Sequence, residues 1–432
     1  MELILIPFFL TLFIFFGIYH PTYFIILYIL LSSKFLGFFD LELVSVQFFG
    51  YGIFTVLIHL IALAILPIKT NLTINLKLRV EYFFWILFFT ILFFHGLIYP
   101  SLMGYSSIFL SLVAGKHFLI FFVLFYMIAK KDQINSLSVT NIIKFIGIYL
   151  SITLIIFSLT GISPPFYENK TDMMGASIGI LEVYHLTFIS LGLFLFLGDH
   201  LQNISVTFLN RWLTYSILLL GLFLGSHRSI FLMSFLIFLF LKLMFNNKYF
   251  DRINKPKLLA IFLLFLIPIF IPLFSSFLQN SENWDMALIS RLYYDTFRID
   301  LIMEQPLFGY GFIHPSSSLM SQININFSNI YMEKLHTIDS GYIDLLIRFG
   351  ILGLVLYLSP LLYFISKIII FNRNYSFNQF ILALFIFQYF LVNIVWSVFS
   401  FDLGLVPLVI ALFLIFNNKK VKLQNDTHQL YA

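Results

Sequence analysis

Apolar runs long enough to cross roughly 30 Å of hydrocarbon, at about 1.5 Å of rise per residue, recur along almost the whole chain, and this repetition constrains the fold more than any motif does. They lie near residues 3–19, 21–33, 43–68, 82–99, 107–129, 142–160, 178–198, 211–226, 229–246, 257–275, 345–366, 379–397 and 401–416. With 60% of the 432 residues hydrophobic and only 10% charged, lipid must solvate most of the surface. The expected fold class is all-α: a polytopic integral membrane helix bundle of about 12 transmembrane helices. The second run is short for a span. Read as a re-entrant or half helix it leaves twelve crossings, the preferred count; read as a crossing it makes thirteen. One long polar stretch interrupts the pattern, so the chain reads as a single membrane domain, 1–432, with 275–344 as a long extracytoplasmic loop that contains an amphipathic helix.

The net charge of +5 is not a nucleic-acid signature, because the basic residues sit mostly in short loops beside apolar runs. Lys69, Lys77 and Arg79; Lys130, Lys131 and Lys144; Arg211; Lys242, Lys248, Arg252, Lys255 and Lys257; Lys367 and Arg373; and Lys419, Lys420 and Lys422 fall in every second loop. By the positive-inside rule these loops and the C-terminus are cytoplasmic. The loops 95–106, 161–177, 226–228, 275–344 and 397–402 then face outward. Met1-Glu2 is followed at once by apolar residues, without a basic n-region or a small-residue cleavage site, so the first segment is expected to be retained. The absence of cysteine rules out disulfides, thiolate metal sites and Cys nucleophiles. With no Walker loop, no Rossmann glycine run and no His-Glu-x-x-His, neither a metal nor a cofactor is expected.

Polar residues in or beside the apolar runs are the candidates for chemistry. Gly225-Ser226-His227-Arg228-Ser229 turns between two short runs, which holds Arg228 near the outer surface. There its guanidinium could grip the phosphates of a lipid carrier, or it could snorkel to headgroups and set topology. His227 is a cavity-lining candidate beside it. Lys116 and His117 interrupt an apolar run about two thirds of the way toward the outer face, where a charge is expensive and often functional unless it snorkels. Glu182 and His185 lie one turn apart near the outer end of their run, and either line a cavity or solvate a helix end.

In the long loop, Leu288, Leu292, Phe297 and Leu301 fall near helical spacing and Pro306 stops the run. Arg291 and Arg298 share a face of this amphipathic helix, so they either point into one cavity or pair with Asp295, Glu304 or headgroups. Gly309-Tyr310-Gly311 predicts a tight turn whose amides approach a ligand, with Tyr310 lining the cavity. Asp339, or His336 before it, stands at the mouth of the bundle as a general base, unless Asp339 only caps the next helix.

In order and spacing these features resemble the O-antigen ligase and polymerase (Wzy-type) superfamily of bacterial envelope glycosyltransferases. The resemblance rests on Ser226-His227-Arg228 between two short spans, Arg291 followed by aromatic residues, Pro306-Leu307-Phe308-Gly309-Tyr310-Gly311, and Asp339-Ser340-Gly341-Tyr342 ahead of Gly350-Ile351-Leu352-Gly353. At motif level it covers about 209–358. Ligases of the superfamily carry His about eleven residues before Gly-x-x-Gly; here Asp339 holds that register and His336 is three residues early, which tilts the resemblance toward the polymerase branch. It implies a glycosyltransferase C-type fold in the bacterial cytoplasmic (inner) membrane. It also implies undecaprenyl-diphosphate-linked oligosaccharide as substrate, membrane lipids as partners and, for a polymerase, a chain-length regulator protein. Arg228, Arg291, Arg298 and Lys116 would then bind the diphosphate, and Asp339 or His336 would deprotonate the acceptor hydroxyl. A lipid-linked oligosaccharide flippase is the alternative from another class, against which stands the lack of half-to-half repetition.

Overall fold

A computed structural model describes residues 2–33, 35, 47–48, 51–52, 54–66, 80–161, 170–171, 177–179, 183–201, 208–225, 228–244, 298–314, 316–319, 341–366, 368, 376–393 and 402–417. Its helices are α1 (Glu2–Tyr19), α2 (Pro21–Ser32), α3 (Phe54–Ile65), α4 (Val80–Leu102), α5 (Ile108–Ala114), α6 (Ile120–Ala129), α7 (Ser136–Thr160), α8 (Val183–Leu201), α9 (Phe208–Leu224), α10 (Arg228–Met244), α11 (Gly341–Ser366), α12 (Phe377–Val392) and α13 (Asp402–Asn417). A 3-10 turn, Lys116–Leu119, joins α5 to α6. Two short antiparallel ladders complete the described secondary structure: β1 (Gln47–Phe48) with β2 (Tyr51–Gly52), and β3 (Lys170–Thr171) with β4 (Ser177–Gly179).

The molecule is a helical membrane protein. Among the described residues two helices are long and apolar enough to cross by themselves, Ser136–Thr160 and Gly341–Tyr363, and the bent pair Ile108–Ala114 with Lys116–Ala129 makes a third. The remaining described apolar helices are 10–17 residues long. The run expected over 43–68 is helical only from Phe54, after the β1–β2 ladder, whose strands flank Phe49-Gly50 in the sequence. Lys144 and His95, both expected in loops, lie inside α7 and α4. α7 starts earlier than hydropathy suggests because Asn135 caps it, its Oδ1 accepting from the amides of Leu137 and Ser138. Lys144 is consequently buried two turns in and ion-paired with Asp199 of α8. The run at 257–275 lies outside the described residues.

Small residues and shared polar groups hold the bundle together, as expected where lipid removes the hydrophobic drive between helices. Gly147 of α7 faces Gly192 of α8, and Gly221 of α9 faces Ser151 of α7, so three helices meet at backbone distance. Deeper in, Gln388 of α12 joins α8 and α10: Ser190 Oγ donates to Gln388 Oε1 at 2.9 Å, and Gln388 Nε2 donates to Ser234 Oγ at 2.8 Å. At one end of this layer Gly225, just past α9, packs on Leu186 of α8. There Gly341 N, at the start of α11, donates to Asn393 O at 3.0 Å, and Tyr342 Oη donates to Phe390 O at 2.8 Å. The first turn of α11 therefore docks on the C-terminal end of α12. The other long contact of α11 is with α4.

Candidate functional site

α11 is broken in its middle, and the break is filled by a loop from elsewhere in the chain. At Gly350 the backbone turns to φ 64°, ψ −171°, a conformation open in practice only to glycine. The break strands the carbonyls of Ile347 and Arg348 and the amides of Ile351 and Leu352, which an unbroken helix would pair with each other. The segment Pro306–Phe312 takes up all four. Tyr310 N and Gly311 N donate to Ile347 O and Arg348 O, both at 2.7 Å, while Ile351 N and Leu352 N donate to Pro306 O at 2.8 Å and Leu307 O at 3.2 Å. Unpaired backbone groups at this depth would cost several kcal/mol each, so the exchange is what lets the helix break. It also needs backbone-to-backbone contact: a Cβ on Gly350 would overlap Leu307, and one on Gly309 would sit 2.5 Å from Ile347 O.

The same loop reaches a second broken helix. Residues 108–114 and 116–129 are bent by 69° at Gly115. The ring of Phe312 lies against Gly115 and Gly96, and no Cβ fits at either position. Phe312 is fully buried among Phe93, Phe118 and Phe349, and its amide donates to Gly96 O at 2.8 Å. Across this contact Arg348 of α11 reaches the end of α5. Its Nε donates to Asp344 Oδ1 at 2.8 Å and its Nη1 lies 3.5 Å from Ala114 O, two residues before Lys116. The two breaks thus face each other, with Phe312 as the wedge and a Lys and an Arg at the junction. Irregular backbone inside a membrane protein is tolerated where it is buried or lines a cavity, and such breaks are where ligand sites are built.

Residues 213–358 match the Wzy_C family model, described as O-antigen ligase. Over that region the chain is similar to the O-antigen ligase family. No curated protein matches it. The matched Wzy_C region runs from α9 to past the break in α11, so it contains the loop and both strands of the backbone exchange. The two runs on which the sequence resemblance rests, Pro306 to Gly311 and Gly350 to Gly353, meet in one interlock.

The structure describes some of the expected site residues and not others. Arg291, His336, Asp339, His227 and Glu182 lie outside the described residues. Arg228 is the first residue of α10, and His185 is fully buried in the first turn of α8, next to the Leu186 that packs on Gly225. Lys116 is half-buried at the break after Gly115. Residues 298–304 are helical and stop before Pro306, as the loop pattern predicts. Arg298 is 4% exposed, whereas Ile299 and Met303 are 51% and 71% exposed. Arg298 is turned inward, while Asp300 and Glu304 are exposed beside Ile299 and Met303.

The turn at Gly309-Tyr310-Gly311 is present, but its amides do not await a ligand. Gly309 N donates to Gln305 O at 3.0 Å, and the next two amides are spent on α11. Tyr310 is buried, and its hydroxyl donates to Glu304 Oε2 at 2.8 Å. Burial and the adjacent Glu304 carboxylate push its phenol well above the ordinary value, so it stays protonated. Arg348 and Asp344 are the residues that sequence reasoning missed. Their signal was an Asp and an Arg four apart just ahead of Gly350, which by itself reads as a common helix-surface pair. Among the described residues no group of three or more His, Cys, Asp or Glu could hold a metal ion.

Proposed function

We propose that this protein is a polysaccharide polymerase that joins undecaprenyl-diphosphate-linked oligosaccharide repeat units at the outer face of the cytoplasmic membrane. The Wzy_C match across residues 213–358 carries this reading, because superfamily members are membrane glycosyltransferase-like enzymes. On it, a hydroxyl of the acceptor unit attacks the anomeric carbon of the donor chain, and the bond from that carbon to the lipid diphosphate breaks. Asp339 or His336 takes the hydroxyl proton. Arg228, Arg291, Arg298 and Lys116 stabilise the charge that develops on the departing diphosphate, so no metal is needed. The dozen spans, the cytoplasmic C-terminus and the outward placement of 275–344 belong to the same proposal, and rest on the alternation of basic loops. The product would be O-antigen, capsule or exopolysaccharide, with a chain-length regulator as protein partner.

A ligase that transfers finished chains to lipid A core is the second reading, favoured by the description of the matched family as O-antigen ligase. Asp339 in the register where ligases carry His favours the polymerase. A broken helix such as the one at Gly115 is also a transporter device, but the family match supports an enzyme over a flippase. The surface glycan of a deletion strain separates these readings. Single-repeat glycan is the expected result; long chains retained on the lipid carrier would mean a ligase, and unaltered long surface glycan would exclude both. Complementation with R228A and R291A, at confirmed expression, should each shorten the glycan to a few repeats. Normal ladders from both would remove these arginines from the site.

A further inference from the structure

Arg348 has no part in the scheme above, yet it stands where the two helix breaks meet. We propose that Arg348 is an additional binding residue of this site, one that contacts the diphosphate of the lipid-linked donor. The inference rests on the proposed function and deepens it by one residue.

The geometry of its ion pair carries the argument. A pair built for mutual neutralisation is bidentate, with two parallel N–H donors on two carboxylate oxygens. Here Arg348 meets Asp344 through Nε alone, and Asp344 Oδ2 is buried without a hydrogen-bond partner among the described residues. Nη1 is turned to Ala114 O at a long 3.5 Å, and among the described residues Nη2 makes no hydrogen bond. Exposure separates the two partners as well. The Asp344 side chain is 3% exposed and the Arg348 side chain 15%, so the arginine is the more accessible partner. Asp344 and Ala114 thus orient a planar fork whose Nη2 makes no hydrogen bond among the described residues. That is the form in which Arg recognises phosphate oxygens. The backbone of Arg348 is fixed too, since its carbonyl accepts from Gly311 N at 2.7 Å. Lys116, two residues beyond Ala114, adds a second cation at the same junction. An ion pair inside a membrane bundle is expensive, and apolar residues of similar volume would serve folding as well. A fork aimed at a ligand explains why the charged pair stands there.

The test is equilibrium binding of undecaprenyl diphosphate to the full-length protein in nanodiscs, alongside its thermal unfolding. R348M/D344L removes both charges at similar volume; it should melt within a few degrees of the native protein and bind about ten-fold or more weakly. R348K keeps Asp344 neutralised and loses only the fork, and should weaken binding about three-fold or more. Native affinity in either variant overturns the inference. Discs with and without phosphatidylglycerol distinguish the diphosphate from bulk headgroups: the loss should be equal in both, and a loss seen only with phosphatidylglycerol overturns the assignment. A native protein that binds no undecaprenyl diphosphate overturns the inference together with the functional proposal. Native binding with unchanged variants overturns the inference alone.

Discussion

α7 and α11 are almost equal in length, 25 and 26 residues, and each buries an ion pair and a glycine, yet they use these residues in opposite ways. α7 is continuous from its Asn135 cap to the left-handed Gly161 that ends it. Its Gly147 stays helical and lets α8 approach, and its Lys144 pairs across to Asp199 on that neighbour. In α11 the glycine at 350 leaves helical geometry and opens the hydrogen-bond ladder to a loop, and Arg348 pairs within its own helix. A helix that only packs keeps its backbone bonds and spends its charges on neighbours. A helix that presents a site gives its backbone bonds to a loop, and its charge pair is held at the break.

The contrast between the two helices is sharpest at Gly350. G350A places a Cβ onto the Leu307 carbonyl and forces alanine into a backbone region it does not populate, with φ at 64°. The backbone term alone is worth roughly 1–3 kcal/mol, and the overlap adds to it by expelling the 306–312 segment from the break. The expected outcome is a fall in melting temperature of the detergent-solubilised protein larger than that caused by K144A or G147A. Loss of surface polymer and new proteolytic cleavage near 306–312 should accompany it. A G350A protein that melts normally and resists cleavage would mean that the exchanged hydrogen bonds do not hold the break.

The interlock also shows what was legible in advance. Hydropathy found the helices because the apolar run is a local property, and Pro306 marked the end of the 298–304 helix for the same reason. The two glycine motifs stood out individually, but their mating did not: φ and ψ at Gly350 are set by a loop distant in the sequence, and a helix interior with a Gly-x-x-Gly reads as a helix. Gly115 was hidden in the same way, inside an apolar run that hydropathy reads as one straight span. Lys144 misled in the other direction. A lysine in an apolar stretch signals a loop unless its partner is known, and Asp199 lies on another helix. Arg348 escapes notice in the sequence because one-turn Asp and Arg pairs are common on exposed helices; only its neighbourhood of breaks gives it meaning.

Charge removal sharpens the contrast next. K144A leaves Asp199 without its partner, and breaking a fully buried pair costs about 3–5 kcal/mol. The Asp199 side chain is 26% exposed, so solvent screening reduces the expected loss to roughly 1–3 kcal/mol. K144M/D199L should recover most of that stability and keep full polymer length, because this pair only joins α7 to α8. R348M/D344L should also remain folded while losing donor binding. The same operation on two ion pairs then separates packing from ligand recognition. If both double variants retained activity, the two pairs would be equivalent and α11 would be a second α7.

The smallest expected effect is at Gly147, the counterpart of Gly350 in the continuous helix. A Cβ there would lie 3.4 Å from Gly192 Cα and 3.5 Å from Phe188 O, which is ordinary van der Waals contact. Alanine also favours the helix by up to about 1 kcal/mol over glycine, which offsets any small cost of the tighter α7–α8 contact. G147A should therefore change thermal stability by no more than about 1 kcal/mol in either direction and leave glycan length unaltered. Its melting temperature, measured beside that of G350A in the same detergent, tests the premise that the two helices differ in kind. Two glycine-to-alanine changes in helices of matched length should differ by more than the helix propensity of alanine, because only one of those glycines holds a backbone that no other residue can adopt. Equal destabilisation would mean that the α7–α8 contact is as intolerant as the break, and that close helix approach, rather than the opened ladder, sets the demand for glycine in this bundle.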